Sequence, residues 1–342
     1  MPVTLHDVAE RLDVSIATVS RALSNSPGVS EATRQRVLAV AEEMGYRPNV
    51  IARRLQQQRT ETIGFVIPTF GPRFSDPFFS ELLAGIGNEA AEHEYDLLVS
   101  TRAPGPEELQ GYERLVTERR VDGLLVVRTR KQDPRIAYLL EQRIPFVAFG
   151  RSDLAEDFPY LDVDGEAGML MLTRHLIERG HRRIAYVDAP PDVMFRHYRL
   201  RGYRRALRGA GLVYDPELVV GGRLTNASGY RAAKRLMALD PRPTAVIANN
   251  DLMALGVMSA LSEMGLRVGK EIAVAGFDDI PMAKSTHPPL TTVQQPIYHI
   301  GRRICRMLLM LLQGASLDEP HVVLKPELVV RESTDFTIAQ RG

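Results

Sequence analysis

The spacing of apolar residues changes near residue 48 and divides the chain into two parts. Up to residue 46 the apolar positions recur at three- and four-residue intervals, which predicts three short helices and no strand. Thr4, Ser15 and Ser30 each precede one of these helices, where a hydroxyl can accept a hydrogen bond from a free backbone N–H. Gly45 is placed to end the third helix, and Pro48 blocks its continuation.

From residue 62 the apolar positions form short, nearly continuous runs separated by amphipathic stretches. Apolar strands that alternate with helices indicate parallel sheets covered on both faces. The pattern occurs on both sides of residues 155–165, which favours two sheets over one large sheet. The predicted strands are TIGFVIP (62–68), DLLVST (96–101), GLLVVR (123–128), FVAFG (146–150), RIAYVD (183–188), AVIAN (245–249) and IAVAGFD (272–278).

The second predicted helix has an unusual face. On a helical projection, Ile16, Ala17, Ser20 and Arg21 share one side, and the opposite side is apolar. A tight connection joins this helix to the first, as in a helix-turn-helix. Small side chains let a helix approach base edges in a DNA major groove, and an arginine can reach a guanine. The alternative is a small helical domain whose polar face contacts only water.

The composition is that of an ordinary soluble protein, with 44% hydrophobic residues, 25% charged residues and a net charge of +1. Because positive and negative charges nearly balance, contact with a nucleic acid requires a local face. The single cysteine, Cys305, cannot form an intrachain disulfide, which fits a reducing compartment. No apolar run approaches ~18 residues. We therefore expect no membrane span, no secretory signal and a cytoplasmic location.

An α/β enzyme with a fused helical domain is the alternative class. Asp278 and Asp279 could form an acid/base pair, but neighbouring residues on a strand point to opposite faces. No GxxxxGK[ST] loop follows a predicted strand, and the histidines show no metal-ligand spacing. We therefore expect no catalytic residue, no metal and no cofactor.

Polar and aromatic side chains collect at the carboxyl ends of the predicted strands, where open α/β sheets bind ligands. Guanidinium, amide and carboxylate groups together supply the donors and acceptors that sugar hydroxyls need, and aromatic rings can stack on a sugar. Simpler roles are also open. One of Phe78 and Phe79 must face the core, Arg128 can be solvated, and Asp251 can cap a helix. The candidate ligand-binding residues are Asp76, Phe79, Arg128, Phe195, Arg199, Asn250 and Asp278.

Long segments of the chain carry the motifs of one family. They begin with VTLHDVAERLDVSIATVSRALSNSPGVSEATRQRVLAVAEEMGYRPNVIARRL and continue through TIGFVIP, DPFFSELLAGI, VDGLLVV, RLRGYRRAL, NNDLMALGVM, VAGFDD, HPPLTTVQQP and LVVREST. These segments resemble the lactose repressor (LacI) family of transcription regulators over nearly the whole chain. The resemblance implies an all-α helix-turn-helix DNA-binding headpiece at residues 1–46, a hinge helix and linker at 47–60, and an effector-binding and dimerisation domain at 61–342.

The resemblance also implies an α/β periplasmic-binding-protein-like fold for the third segment, with two doubly wound parallel-sheet subdomains and a ligand cleft between them. The N-subdomain would comprise about 61–160 and 292–320, and the C-subdomain about 161–291 and 321–342. No leucine heptad repeat follows LVVREST, so we expect a homodimer rather than a tetramer.

DNA-contacting roles follow from the same resemblance. In the headpiece, side chains at base-reading positions are expected to specify the sequence, and those at phosphate positions to hold the register. The base readers would be Ile16, Ala17 and Arg21, and the other headpiece contacts Thr4, Ser15, Thr18, Ser20 and Asn25. In the hinge, Asn49, Ala52 and Arg53 would contact DNA, and Leu55 would enter a minor-groove base step. The alternative for Leu55 is an apolar contact with the effector-binding domain.

Effector-binding roles are implied for Arg199, Asn250 and Asp278, which match family positions that bind polar groups of the effector. The cleft residues are most similar to those of repressors of α-glucoside operons, so an α-glucoside is the expected effector. A purine or another metabolite corepressor is the alternative. Leu224 departs from the family, since several relatives carry an aromatic residue there. The implied function is a repressor that binds a palindromic operator in the bacterial cytoplasm, associated with the nucleoid when on DNA.

Overall fold

The computed structural model describes residues 3–23, 26–46, 59–69 and 76–336. The chain forms two compact units, Met1–Thr60 and Glu61–Gly342. The described part of the first unit contains the three predicted helices, α1 (Leu5–Leu12), α2 (Ile16–Leu23) and α3 (Glu31–Glu43).

Each helix of the first unit begins at the predicted hydroxyl. Thr4 and Asp7 form a capping box at the start of α1, and Ser30 Oγ accepts the Thr33 N–H at 3.2 Å. The helices share a small core of buried residues: Val8, Ala9, Val19, Ala22, Val37 and Ala41. Leu38, which the helical spacing also suggests for this core, is 42% exposed because the inward face of α3 runs through Val37 and Ala41.

The second unit alternates strands and helices, as the apolar runs predict. In chain order its elements are β1 (Thr62–Pro68), α4 (Pro77–Glu92), β2 (Asp96–Arg102), α5 (Pro106–Thr117), β3 (Gly123–Val127), α6 (Pro134–Glu141), β4 (Phe146–Phe149), β5 (Tyr160–Val163), α7 (Gly165–Glu178), β6 (Ile184–Asp188), α8 (Met194–Gly209), β7 (Val219–Gly221), α9 (Asn226–Met237), β8 (Ala245–Ala248), α10 (Asp251–Glu263), β9 (Ala273–Asp278), β10 (Thr291–Gln294), α11 (Ile297–Leu312), β11 (His321–Leu324) and β12 (Glu327–Val329).

The strands form two six-stranded sheets, in the orders β11-β5-β4-β3-β1-β2 and β12-β10-β9-β8-β6-β7. Every neighbouring pair is parallel except β10 and β12. Side chains of a strand alternate between the two faces of its sheet. In β3, Leu125 and Val127 pack towards α4 and α11, while Leu124 and Val126 pack towards α5 and α6. Both faces are therefore covered, which explains the continuous apolar runs.

The chain crosses between the sheets at positions that differ from the predicted subdomain limits. The prediction assigns residues 161–163 and 321–324 to the second subdomain, but β5 and β11 pair with each other in the first sheet. It also assigns 292–294 to the first subdomain, but β10 lies in the second sheet. These strands are short, and β10 begins with two buried threonines, so their hydrophobic pattern does not mark them. We call the first sheet with its helices the N-subdomain and the second the C-subdomain.

Helices α4 and α11 pack closely on one face of the first sheet, and a glycine permits the approach. A β-carbon added at Gly85 would overlap the carbonyl oxygen of Tyr298 on α11. Gly87, two residues further along α4, has nothing within 4 Å of the same hypothetical atom. Substitutions at these two glycines therefore distinguish a packing requirement from the intrinsic cost of glycine in a helix.

We predict that Gly85→Ala lowers the free energy of unfolding by about 1–3 kcal/mol, because the new methyl group forces the helices apart. Gly87→Ala is the matched control, and it should raise stability by about 0.5–1 kcal/mol, since alanine is the better helix former. Urea unfolding followed by circular dichroism measures both. Equal effects of the two substitutions would contradict the close-packing account.

Candidate functional sites

The exposed side of α2 contains the predicted base-reading residues. Ile16, Ala17 and Arg21 are exposed, Ser20 is half-buried, and Val19 faces the core. Ile16 is 48% exposed, a high value for a large apolar side chain next to a helical core. The predicted division of α2 into a packed side and a free side is therefore confirmed.

Predicted DNA-contacting hydroxyls of the first unit also shape its helix starts. Thr4 Oγ1 accepts the Asp7 N–H at 3.4 Å, and Ser15 Oγ accepts the Thr18 N–H at 3.1 Å. The Ser15 and Thr18 hydroxyl oxygens are 2.8 Å apart. The Thr4 bond caps α1, whereas the Ser15 and Thr18 bonds fix the first turn of α2, which is the part of a recognition helix that meets base edges.

Several predicted DNA contacts lie outside the described residues. They are Asn25 in the headpiece and Asn49, Ala52, Arg53 and Leu55 in the hinge.

A cleft lies where strands of both sheets end. Its empty space, including the part open to solvent, is about 700 Å³. Six of the seven residues predicted from strand ends line it, and Phe79 does not. The lining residues are Asp76, Phe78, Val127, Arg128, Thr129, Phe149, Gly150, Arg151, Asp162, Val163, Gly165, Phe195, Tyr198, Arg199, Leu224, Asn250, Asp278 and Gln295.

Asp76 and Arg128 form an ion pair at the N-subdomain side of the cleft. Arg128 Nη2 lies 2.5 Å from Asp76 Oδ2, while Asp76 Oδ1 accepts the Phe78 N–H at 3.2 Å and caps α4. The prediction of Phe79 as a ligand-stacking residue is wrong: Phe79 is buried in the core, and Phe78 lines the cleft. The ring of Phe79 still supports the site, because the Arg128 guanidinium carbon lies 4.7 Å from its centre.

Arg199 is the central cation of the C-subdomain side. It lies on α8, with its guanidinium carbon 3.6 Å from the ring centre of Phe277. Nη1 donates to Asn249 Oδ1 at 3.1 Å, and Nη2 lies 3.7 Å from Asp278 Oδ1. The buried Nε has no hydrogen-bond partner among the described residues. A ligand acceptor can satisfy this donor.

Asn250 lines the cleft as predicted, and it also takes the helix-capping role that the sequence suggests for Asp251. As the cap of α10, its side chain accepts the Met253 N–H at 3.0 Å. Asp251 lies beneath the cleft, where its carboxylate accepts from the Thr292 hydroxyl at 2.5 Å and the Ile280 N–H at 3.0 Å. Burial raises the pKa of Asp251 to about 7. Asp251 is thus an internal connection between α10 and β10.

Sequence reasoning missed a third charged pair in the cleft. Arg151 Nε donates to Asp162 Oδ2 at 2.6 Å, and its guanidinium carbon lies 3.8 Å from the ring centre of Tyr198. Arg151 directly follows the predicted strand FVAFG, so the rule that selected Arg128 could have found it. Asp162 had no such signal, because YLDV carries an acidic residue within a short strand.

Leu224 is buried in the cleft wall. The family resemblance implies an aromatic residue at this position.

The charges of the cleft balance. Its charged lining consists of three carboxylates (Asp76, Asp162, Asp278) and three guanidinium groups (Arg128, Arg151, Arg199). Desolvation raises the pKa of all three carboxyls above their ordinary value, even though the arginines act in the opposite direction. Hydrogen-bond donors on a ligand would favour the charged form of such carboxylates.

The described residues contain neither a metal-binding cluster nor a membrane-spanning helix. No cluster of His, Cys, Asp and Glu among those residues could hold a metal ion. The helices in the described part of the chain are all too short or too polar to span a bilayer.

Comparisons with known proteins agree with both units. Residues 4–49 match the family model "Bacterial regulatory proteins, lacI family", and residues 173–334 match the "Periplasmic binding protein-like domain". The transcriptional repressor CytR of Escherichia coli (strain K12) is 36% identical over 333 residues, which are 97% of this chain and 96% of CytR.

Two solved structures extend the similarity to the fold. A complex of the transcriptional regulator CelR with cellobiose is 35% identical, with a TM-score of 0.74 over 97% of this chain and 99% of CelR. The lac repressor dimer bound to operator and the anti-inducer ONPF is 30% identical, with a TM-score of 0.84 over 98% of this chain and 99% of that one. The predicted fold class is therefore confirmed, and these similar proteins are transcription regulators rather than enzymes.

Proposed function

The chain belongs to the lacI family of bacterial regulatory proteins, and from this premise we propose that it is a repressor whose operator binding is controlled by an uncharged carbohydrate. It would bind a palindromic operator as a homodimer in the bacterial cytoplasm. The balanced charge of the cleft is the main observation in favour of an uncharged effector.

The headpiece geometry supports sequence-specific DNA contact. Ile16 and Ala17 offer only apolar surface, which suits a thymine methyl group, and Arg21 can donate two hydrogen bonds to a guanine. The lac repressor structure shows a dimer of a similar chain on its operator. A two-fold symmetric dimer reads two half-sites, so a palindromic operator follows from the same premise.

The cleft chemistry supports a sugar. Each of its three cations already lies beside a carboxylate, so a phosphorylated or otherwise anionic ligand would add an unbalanced charge in a desolvated site. A neutral polyol instead supplies hydroxyls that donate to carboxylates and accept from guanidinium groups. The aromatic rings of Phe78, Phe149 and Phe195 can cover the apolar face of a sugar ring. CelR, a similar protein, binds cellobiose.

Within this class, an α-glucoside is the effector that we propose. A purine or nucleoside corepressor would also be neutral, and binding measurements separate the two. Isothermal titration of the full-length protein with maltose, trehalose, sucrose, cellobiose, adenosine, cytidine and glucose 6-phosphate is the test. Saturable binding of an α-glucoside supports the proposal, whereas binding only of a nucleoside or the phosphate overturns the sugar assignment.

Closure of the cleft would transmit effector binding to the DNA-binding unit. Two backbone hydrogen bonds join the subdomains at its edge: Met194 N–H donates to the Thr129 carbonyl at 2.7 Å, and Lys131 N–H to the Asp192 carbonyl at 3.2 Å. Arg130 reinforces them, with Nε 3.3 Å from Asp192 Oδ2. A ligand that contacts both subdomains changes how they close, and thereby the spacing of the paired headpieces. A coupling free energy of about 1–3 kcal/mol between the two sites is typical.

We predict that Asp278→Asn weakens effector binding at least about tenfold, because a hydrogen bond to a charged group contributes about 1.5–3 kcal/mol. Operator affinity without effector should stay unchanged. Asp188→Asn is the matched control, since Asp188 also ends a strand and pairs with Arg196 at 2.6 Å but does not line the cleft. Titration calorimetry and operator binding measure both properties. The same loss in both variants would assign Asp278 to the fold rather than to the ligand.

We also predict that Arg21→Ala costs about 1–3 kcal/mol of operator affinity and relaxes the sequence preference at one base pair of each half-site. The expected control, Arg36→Ala, removes an exposed arginine of α3 and should leave the base preference unchanged. Binding to a set of single-base operator variants at fixed salt measures the preference. A loss by Arg21→Ala that is equal on all sequences would make Arg21 a phosphate contact.

A further inference from the structure

We propose that Arg151 and Tyr198 form a second sugar-ring subsite beside the Arg199–Asp278 pair, so that the cleft is built for a disaccharide rather than a single ring. This inference rests on the proposed function, which supplies the sugar. It concerns two residues outside the predicted ligand-binding set.

The first observation is the fixed position of the Arg151 guanidinium. Asp162 holds its Nε from the N-subdomain at 2.6 Å, and the ring of Tyr198 covers it from the C-subdomain at 3.8 Å. An arginine held on two sides loses little further side-chain freedom when a ligand binds. Arg151 therefore presents its remaining groups in a defined direction.

The second observation is the uncommitted hydrogen-bonding capacity at this end of the cleft. Among the described residues, neither Nη group of Arg151 and not the Tyr198 hydroxyl has a hydrogen-bond partner, while both residues line the cavity. At the other end, Arg128 already donates to Asp76 and to the Pro68 carbonyl. The Arg151 end of the cleft therefore offers several donors, in addition to the buried Nε of Arg199.

The third observation is that Arg151 and Tyr198 lie next to the first subsite. Tyr198 directly precedes Arg199 on α8, and a β-carbon added at Gly165 would lie in contact range of both side chains. Arg199 also acts electrostatically on the Asp162 carboxyl, where it opposes the rise of the pKa. The two pairs are therefore neighbours in one cavity. A ring held by Arg199 and Asp278 leaves an adjoining ring within reach of Arg151 and Tyr198.

The test compares two-ring and one-ring ligands on the full-length protein. Maltose, trehalose and sucrose are titrated calorimetrically beside glucose and methyl α-glucoside. Tyr198→Phe keeps the ring over Arg151 and removes only the hydroxyl, so the fold is preserved. It should weaken the binding of the preferred disaccharide about three- to tenfold, and Arg151→Gln about ten- to a hundredfold. Both variants should weaken binding of the single-ring ligands clearly less than binding of the disaccharide.

Tyr214→Phe is the matched control, because Tyr214 also stacks on an arginine, Arg204 at 4.3 Å, and does not line this cleft. It should change no affinity. Equal losses for one-ring and two-ring ligands, or no loss for either, overturn the second subsite while leaving the sugar-controlled repressor intact. A wild-type protein that binds none of the sugars overturns the proposed function together with the subsite.

Discussion

Opposite charges held out of water at the ends of parallel strands determine what the cleft can bind. A buried guanidinium or carboxylate is costly unless a partner compensates it. Here Asp76, Asp162 and Asp278 each lie beside an arginine, and aromatic rings cover several faces of these arginines. Strands β5 and β9 fix the backbone of Asp162 and Asp278, and the start of α4 fixes that of Asp76, so the pairs are positioned before a ligand arrives. What remains for a ligand is to satisfy lone pairs and N–H groups without adding charge.

The same arrangement links recognition to movement. Asp162 and Arg151 belong to the N-subdomain, whereas Arg199 and Asp278 belong to the C-subdomain. A ligand that bonds to both sets therefore acts on the relative position of two rigid sheets. The backbone bonds between residues 129–131 and 192–194 mark an edge where this position is set. In the proposed dimer, the two headpieces would respond through their spacing alone, since both must match the half-sites of one operator.

The sequence predicts most of the fold and part of the cleft, and the reasons differ by residue. All seven apolar runs are strands, and six of them are buried parallel strands, which need apolar side chains on both faces, while β2 is a half-exposed edge strand. Five strands escape the pattern. Of these, β10 carries the buried Thr291 and Thr292, whose hydroxyls bond within the fold. The prediction of Phe79 fails since adjacent residues at a helix start differ by about a quarter turn, and the pattern cannot say which faces the sheet. Asp162 is hidden within a short strand that only its pairing with β4 and β11 reveals.

In the proposed repressor, the sugar site and the operator site share one free energy of coupling, which reciprocal titration measures. Operator affinity is measured with and without a saturating α-glucoside, and sugar affinity with and without operator DNA, at one salt concentration. The account predicts that the two affinities change by the same factor, about 5- to 150-fold, because linkage is reciprocal. A sugar that binds tightly while both factors equal one would contradict the account.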